Sequence, residues 1–287
     1  MRRVLRLRAF SARQPLLWAG VCLVGIALVT GSALVLRFGT AHAAGTTTDT
    51  TCTSASYSAD ITTWTTTLAG NGTIQVNCPS PTTIDITSGA GGPGTVPVSG
   101  TQLLAITSTG HALTLSGATT TELFDVSAST ASLSLTGLTL AKGSNFLGGA
   151  ITNSGTVTIT NSTLSNNAAF ADGAIDNDGT LTITNSTLSN NFGFSGVGGI
   201  ASSGTLTITN STLSGNSTIG QGGAIYVSSG TLSITGSTLS GNSVTGSSTA
   251  DSGALYAASG TNTITTSTFS GNTAVGGSGA TEVDGGA

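Results

Sequence analysis

The segment Thr156-Val157-Thr158-Ile159-Thr160-Asn161-Ser162-Thr163-Leu164-Ser165-Asn166-Asn167 decides the fold. Apolar Val157 and Ile159 alternate with threonines, which places them on one face of an extended strand and the threonines on the other. The segment recurs as 180–191, 205–216, 231–242 and 261–272, each copy preceded by a glycine: Gly155, Gly179, Gly204, Gly230 and Gly260. A looser copy runs from Ser132 to Leu140. Upstream of each clear copy stands a second element in register: Gly148-Gly149-Ala150-Ile151, Asp172-Gly173-Ala174-Ile175, Gly198-Gly199-Ile200, Gly222-Gly223-Ala224-Ile225 and Ser252-Gly253-Ala254-Leu255. The copies start 24, 25, 26 and 30 residues apart, and a period of that size marks a solenoid.

Thr and Ile favour strands, while Gly and Asn-rich joints interrupt them. No 3.6-residue period is sustained after residue 44, so each unit reads as about three short strands without a helix. Stacked units of about 24–30 residues give an all-β fold, a parallel β-helix. Stacking turns the register into interior columns. These are Val157/Leu181/Leu206/Leu232, Ile159/Ile183/Ile208/Ile234/Ile264, Leu164/Leu188/Leu213/Leu239/Phe269 and Ile151/Ile175/Ile200/Ile225/Leu255. Asn167, Asn191, Asn216, Asn242 and Asn272 form a fifth column at a bend. Stacked amides can hydrogen-bond along it, and Asn tolerates a left-handed backbone there. The Asn-Ser-Thr sites at Asn161, Asn185 and Asn210 follow from the repeat itself and are weak evidence for glycosylation.

The composition agrees with a narrow aliphatic core under a Thr/Ser surface. Of 287 residues only 6% are charged and 5% aromatic, and 42 are Gly. The net charge of −4 hides a segregation. Arg2, Arg3, Arg6, Arg8, Arg13 and Arg37 lie in the first 37 positions. From Ala44 onward Lys142 alone stands against eleven acids, a net −10. That excludes nucleic acid as a partner, since a nucleic-acid binder needs a Lys/Arg footprint.

Residues 1–43 read as a targeting segment. A basic start is followed by the uncharged apolar run Leu16–Leu36, then by the small-x-small pattern Ala41-His42-Ala43. The run is also long enough to cross a bilayer, so a cleaved signal peptide and an uncleaved anchor both fit. Either exports the rest of the chain, to a secreted or cell-surface location. Contact with a membrane is then expected only through this segment if it is retained. Residues 44–100 read as an N-terminal cap with the first irregular coils, and 101–287 as the repeats. In an exported chain Cys52 and Cys78 are expected to form a disulfide, closing a loop of about 27 residues. Two free thiols or half of a metal site are the alternatives, but no CxxC is present and His111 is the one His nearby, which disfavours zinc. Trp64 and Leu68 are placed to cover the base of the core.

The Gly-Gly-Ala-Ile motifs and Phe269-Ser270-Gly271-Asn272 resemble the GGA(I/L) and FxxN repeats of chlamydial polymorphic outer membrane proteins. The other copies read Leu-x-x-Asn. More broadly, residues 50–275 resemble exported bacterial right-handed parallel β-helix repeat proteins, with a Cys-bearing cap around Cys52, Trp64 and Gly72–Cys78. The resemblance implies a right-handed, pectate-lyase-like solenoid and an adhesion role.

Enzymes share this fold, but their chemistry needs groups that are scarce here. After residue 44 there is no Arg and one Lys, and the carboxylate cluster is Asp172, Asp176 and Asp178. Those acids are candidates for a divergent polysaccharide lyase or glycoside hydrolase, or for a weak cation site. The plainer reading is that they are polar residues on the solvent face. They fit no EF-hand loop, and no structural metal or cofactor is expected. Tyr226 and Tyr256 follow interior residues on adjacent coils, so they point outward as a pair. They can contact a sugar or a protein, or simply brace the sheet. The expectation is a non-catalytic exported module that meets glycans or surface proteins. Its oligomeric state is left open.

Overall fold

The computed structural model describes residues 45–66, 70–246, 249–250, 252–276 and 282–283. Residues 1–43, read above as a targeting segment, and Leu68 lie outside them. Among the described residues the chain winds into a parallel β-solenoid of about nine coils, and every strand pair is parallel.

Each regular coil contributes four strands rather than three. One coil runs through Thr156–Thr160, Thr163–Ser165, Ala168–Ala169 and Ile175–Asn177. Stacking of equivalent strands gives a nine-stranded first sheet, an eight-stranded second, a six-stranded third and a seven-stranded fourth. The third sheet escapes a sequence pattern because its strands are only two or three residues long. Their composition, Ala-Ala, Phe-Gly or Ser-Thr, carries no alternating apolar signal.

The expected columns are the core. Val157, Leu181, Leu206 and Leu232 pair in register and are fully buried, as are Ile159, Ile183, Ile208 and Ile234. Ile264, at the far end of its column, is 43% exposed. Leu164, Leu188, Leu213 and Leu239 form the third column and Ile151, Ile175, Ile200 and Ile225 the fourth. Phe269 and Leu255 pack partly buried beside them.

The polar columns divide two tasks that the sequence reading gave to one. Asn167, Asn191, Asn216 and Asn242 are buried, and each side-chain amide donates to the carbonyl oxygen of the next Asn in the column at 2.8–3.0 Å. The left-handed backbone lies one residue earlier, at Asn166, Asn190, Gly215, Gly241 and Gly271, and also at the other bend, at Asn161, Asn185 and Asn210. The tight ladder thus keeps an ordinary backbone, and Asn or Gly beside it takes the sharp turn. A second ladder runs through Ser162, Ser186, Ser211 and Ser237, whose hydroxyl oxygens accept backbone N–H bonds at 3.1–3.2 Å.

The Gly-Gly-Ala turns are fixed by coil-to-coil contact. A Cβ on Gly173 would run into the carbonyl oxygen of Gly198, and one on Gly223 into that of Gly253.

The N-terminal end carries an α-helix, which the strand-only reading missed. Helix α1 (Ser54–Thr66) buries Tyr57, Ile61 and Trp64 against the core, a spacing of four and then three residues. Thr53 and Ser56 cap it reciprocally: Ser56 N–H donates to Thr53 Oγ1 at 3.1 Å, and Thr53 N–H to Ser56 Oγ at 2.9 Å. Trp64 closes the base of the core as expected, and its indole N–H donates to the Leu103 carbonyl at 3.1 Å. Cys52 and Cys78 are disulfide-bonded, with Cα atoms 5.7 Å apart.

Candidate functional site

The outward column of the fourth sheet reads Pro97, Asp125, Thr152, Asp176, Ala201, Tyr226, Tyr256, one residue per coil. Their neighbours on the same strands, Val96, Phe124, Ile151, Ile175, Ile200 and Ile225, point inward and are buried. The outward side chain therefore changes at almost every level of this strip, with Asp125 and Asp176 in the earlier coils and the two tyrosines in the last.

Three carboxylates of this region, Asp172, Asp176 and Asp178, lie close enough to feel one another's charge. Asp176 points outward from the strand Ile175–Asn177, Asp178 follows that strand, and Asp172 lies in the preceding turn, bridging in register to Gly148 and Val197. Burial, then the charges of Asp176 and Asp178, push the Asp172 carboxyl up to about 7. Burial and Asp178 push Asp176 up to about 6. Asp178 is exposed and accepts a hydrogen bond from the Ser203 hydroxyl.

Sequence reasoning passed over Glu122, a further raised acid, whose charged neighbour is Asp125. It is 8% exposed, and Asn145 Nδ2 donates to its Oε2 at 2.8 Å. Burial, above all, and the Asp125 charge push it up to about 7, against the lowering effect of its polar neighbours Thr152 and Asn145. It was hidden because it precedes the first clear repeat and stands alone in sequence. Among the described residues no three His, Cys, Asp or Glu side chains are grouped as they would be around a metal ion. The three acids read as a weak cation site thus form no such group. His111 lies elsewhere, its Nδ1 3.0 Å from the Cys78 carbonyl oxygen in the cap region.

Tyr226 and Tyr256 are the outward pair that the repeat implied. Their rings stack at 5.6 Å with planes 7° apart. On the opposite side Tyr226 has only the small Ala201 as its neighbour in the column.

A second aromatic row was missed altogether. Phe146, Phe170 and Phe194 stack at 5.2 and 5.5 Å, and they are 64%, 49% and 51% exposed. They stand just beyond the strands of the third sheet. Ile219 follows Thr218 as Phe194 follows Gly193, and it continues the row, 37% exposed. The signal was available, because the three phenylalanines repeat at 24 residues, the period of the coil. The turn that carries Asp172 separates this row from the fourth sheet.

A shallow depression of about 290 Å³ lies on the first sheet, lined by Asn71, Thr73, Leu103, Leu104, Ser132 and Ser134 among others, with no acid or base in its lining.

This geometry defines a parallel β-solenoid, and comparison with protein families supplies its hand. A family model described as the right handed beta helix region matches residues 126–274. That is just over half of the chain, and the chain belongs to this family. No curated protein and no solved structure matches it.

Proposed function

We propose that this chain is a non-catalytic exported β-helix that acts as an adhesion or envelope interaction module, of the kind seen in the chlamydial polymorphic outer membrane proteins its repeats resemble. The observation that carries this reading is the pair of outward-facing, stacked aromatic rows, the exposed Phe146–Phe170–Phe194 and the half-buried Tyr226–Tyr256. Exposed apolar patches mark contact surfaces, and neither row supports the core. A repeating rigid face also suits several weak contacts made together. Export through residues 1–43 and bacterial origin belong to the same reading, and glycans or surface proteins are its ligands.

A polysaccharide lyase or glycoside hydrolase using Asp172, Asp176 and Asp178 is the second reading. One observation favours it: Asp172 and Asp176 sit side by side with carboxyls raised to about 7 and about 6, the range a general acid needs. Two measurements on one preparation separate the readings. Binding to a glycan array that falls in Tyr226→Ser/Tyr256→Ser supports the module. Release of reducing or unsaturated ends from acidic polysaccharides, abolished in Asp176→Asn, would overturn it.

A further inference from the structure

The phenylalanine row has a feature that selects its ligand. Phe170 is covered on both ring faces, by Phe146 on one side and Phe194 on the other. Sugars and cations bind aromatic rings through the face, and at Phe170 the faces are taken. What the row offers outward is ring edges, an apolar strip that Ile219 prolongs. Such a strip is matched by aliphatic or aromatic side chains of a polypeptide.

The surroundings fix the charge of that polypeptide. Asp172 lies two residues beyond Phe170, and Glu122 holds Asn145, the residue before Phe146. Asp176 and Asp178 lie just past the same turn. Above about pH 7, where Asp172 and Asp176 are ionised, a neutral apolar partner would desolvate them without pairing them, at a net cost. A second copy of this chain would bring its own acids against them, and an anionic surface would do the same.

We propose that the Phe146–Phe170–Phe194 row, with the carboxylates beside it, is a docking site for a cationic polypeptide segment that carries apolar side chains. This rests on the interaction-module reading and names the partner of one of its two rows.

The test is fluorescence anisotropy on the full chain with three ten-residue peptides of alternating residues: Lys-Leu, Lys-Ser and Glu-Leu. The Lys-Leu peptide is expected to bind at least about tenfold more tightly than either other peptide, and more weakly as salt rises. Phe170→Ser is expected to weaken it by about tenfold, Phe170→Leu by much less, and Asp172→Asn to reduce its salt dependence. Equal binding of Lys-Ser would reduce the site to bare electrostatics and overturn the proposal. Equal binding of Glu-Leu would overturn the charge selection. Failure of all three peptides, or tighter binding of a chitosan oligomer than of Lys-Leu, would overturn the docking site. In each of these cases the module reading stands or falls separately, on the glycan array and the tyrosine pair. Should Phe170→Ser lose its native circular dichroism, the peptide comparison on the unaltered chain still decides.

Discussion

The first and fourth sheets share the same coils but use their outer faces differently. On the first sheet the outward columns repeat one chemistry: Thr156, Thr180, Thr205, Thr231 and Thr261, then Thr158, Thr182, Thr207, Ser233 and Thr263. On the fourth sheet the outward column changes at almost every level, from Asp125 through Thr152, Asp176 and Ala201 to Tyr226 and Tyr256. Inward, Leu181, Leu206, Ile183 and Ile208 keep the first sheet aliphatic, and the fourth sheet pairs its Ile151–Ile175–Ile200–Ile225 column with a buried Asn153–Asn177–Ser202 column. The interior therefore specifies the fold in every coil, and the freedom left outside is used on one side only. The Thr face keeps β-propensity and solubility with almost no charge. The other side, with the adjoining phenylalanine row, gathers charge and aromatic area.

The largest effect is expected where inside and outside are exchanged on a single strand. Ile208 is fully buried between Ile183 and Ile234, and Lys142 is the one base of the chain after residue 44. Ile208→Asp therefore buries a carboxylate without a counter-charge, at about 3–5 kcal/mol or more. Thr207→Asp, one residue away and outward, is expected to cost less than about 1 kcal/mol. Urea melts of the two variants check this, and similar midpoints would mean that the strand faces the other way. Because coils contact only their neighbours, the loss is expected to centre on the altered coil.

Next come the two asparagine columns, which look alike in sequence and differ in physics. Asn216 donates its amide to Asn242 Oδ1 at 2.9 Å and to the Leu188 carbonyl at 3.0 Å, and accepts from Asn191 Nδ2 at 2.8 Å. Asn216→Gly strands these buried partners, and about 2–4 kcal/mol is expected to be lost, from unmet hydrogen bonds at about 1–3 kcal/mol each. Asn210 instead occupies a left-handed bend at φ 50°, where the next coil already has Gly236 at φ 60°. Asn210→Gly is expected to stay within about 1 kcal/mol of the parent. Thermal melts of both variants decide. Equal losses would show that the ladder is no stronger than the bend.

The repeat made these columns readable because each was sampled three to five times along the chain. Period-2 alternation fixed the first sheet, and the fourfold or fivefold recurrence of Ile, Leu and Asn fixed the interior register. What occurs once was harder to read. Helix α1 has one apolar stripe, Tyr57, Ile61 and Trp64, diluted by Ser and Thr of low helix propensity. Glu122 gains its burial only from coils that stack over it. At the candidate site, Asp172, Asp176 and the tyrosine pair followed from the register. The phenylalanine row also obeyed it, but apolar residues beside a turn read as interior until a fold shows that they face out.

The carboxylates of the fourth-sheet region should make stability depend on pH with a definite sign. Glu122, Asp172 and Asp176 are raised from ordinary values of 4.5, 3.8 and 3.8 to about 7, about 7 and about 6. The folded state thus holds protons that the unfolded chain releases. Their contribution is complete below about pH 4 and is lost as pH rises through about 6 to 7. The melting temperature is expected to fall by a few degrees across that window, and Asp172→Asn should flatten the fall. A melting temperature that rises with pH there would contradict the burial of these groups.

The smallest expected effect on stability falls on the tyrosine pair, and it bears most directly on whether the varied face is built for contact. Tyr226 and Tyr256 stack at 5.6 Å, on residues paired across adjacent coils. Both are only half-buried, and neither hydroxyl belongs to an interior ladder. A cross-strand aromatic pair of this kind contributes about 0.2–1 kcal/mol. Tyr256→Ser removes that term and leaves Leu255, the inward residue beside it, untouched. The midpoint of unfolding is therefore expected to move by no more than about 1 kcal/mol, far less than for Ile208→Asp. Glycan binding should fall at least about tenfold in the same variant, because the stacked ring that backs Tyr226 is gone and its remaining face is free to turn. A matched control is Thr263→Ser, which trims an outward residue of the last paired first-sheet strand and should change neither quantity. Should Tyr256→Ser cost several kcal/mol and leave binding intact, the pair is a brace for the end of the sheet. The contrast between a uniform face and a varied one would then lie in packing rather than recognition.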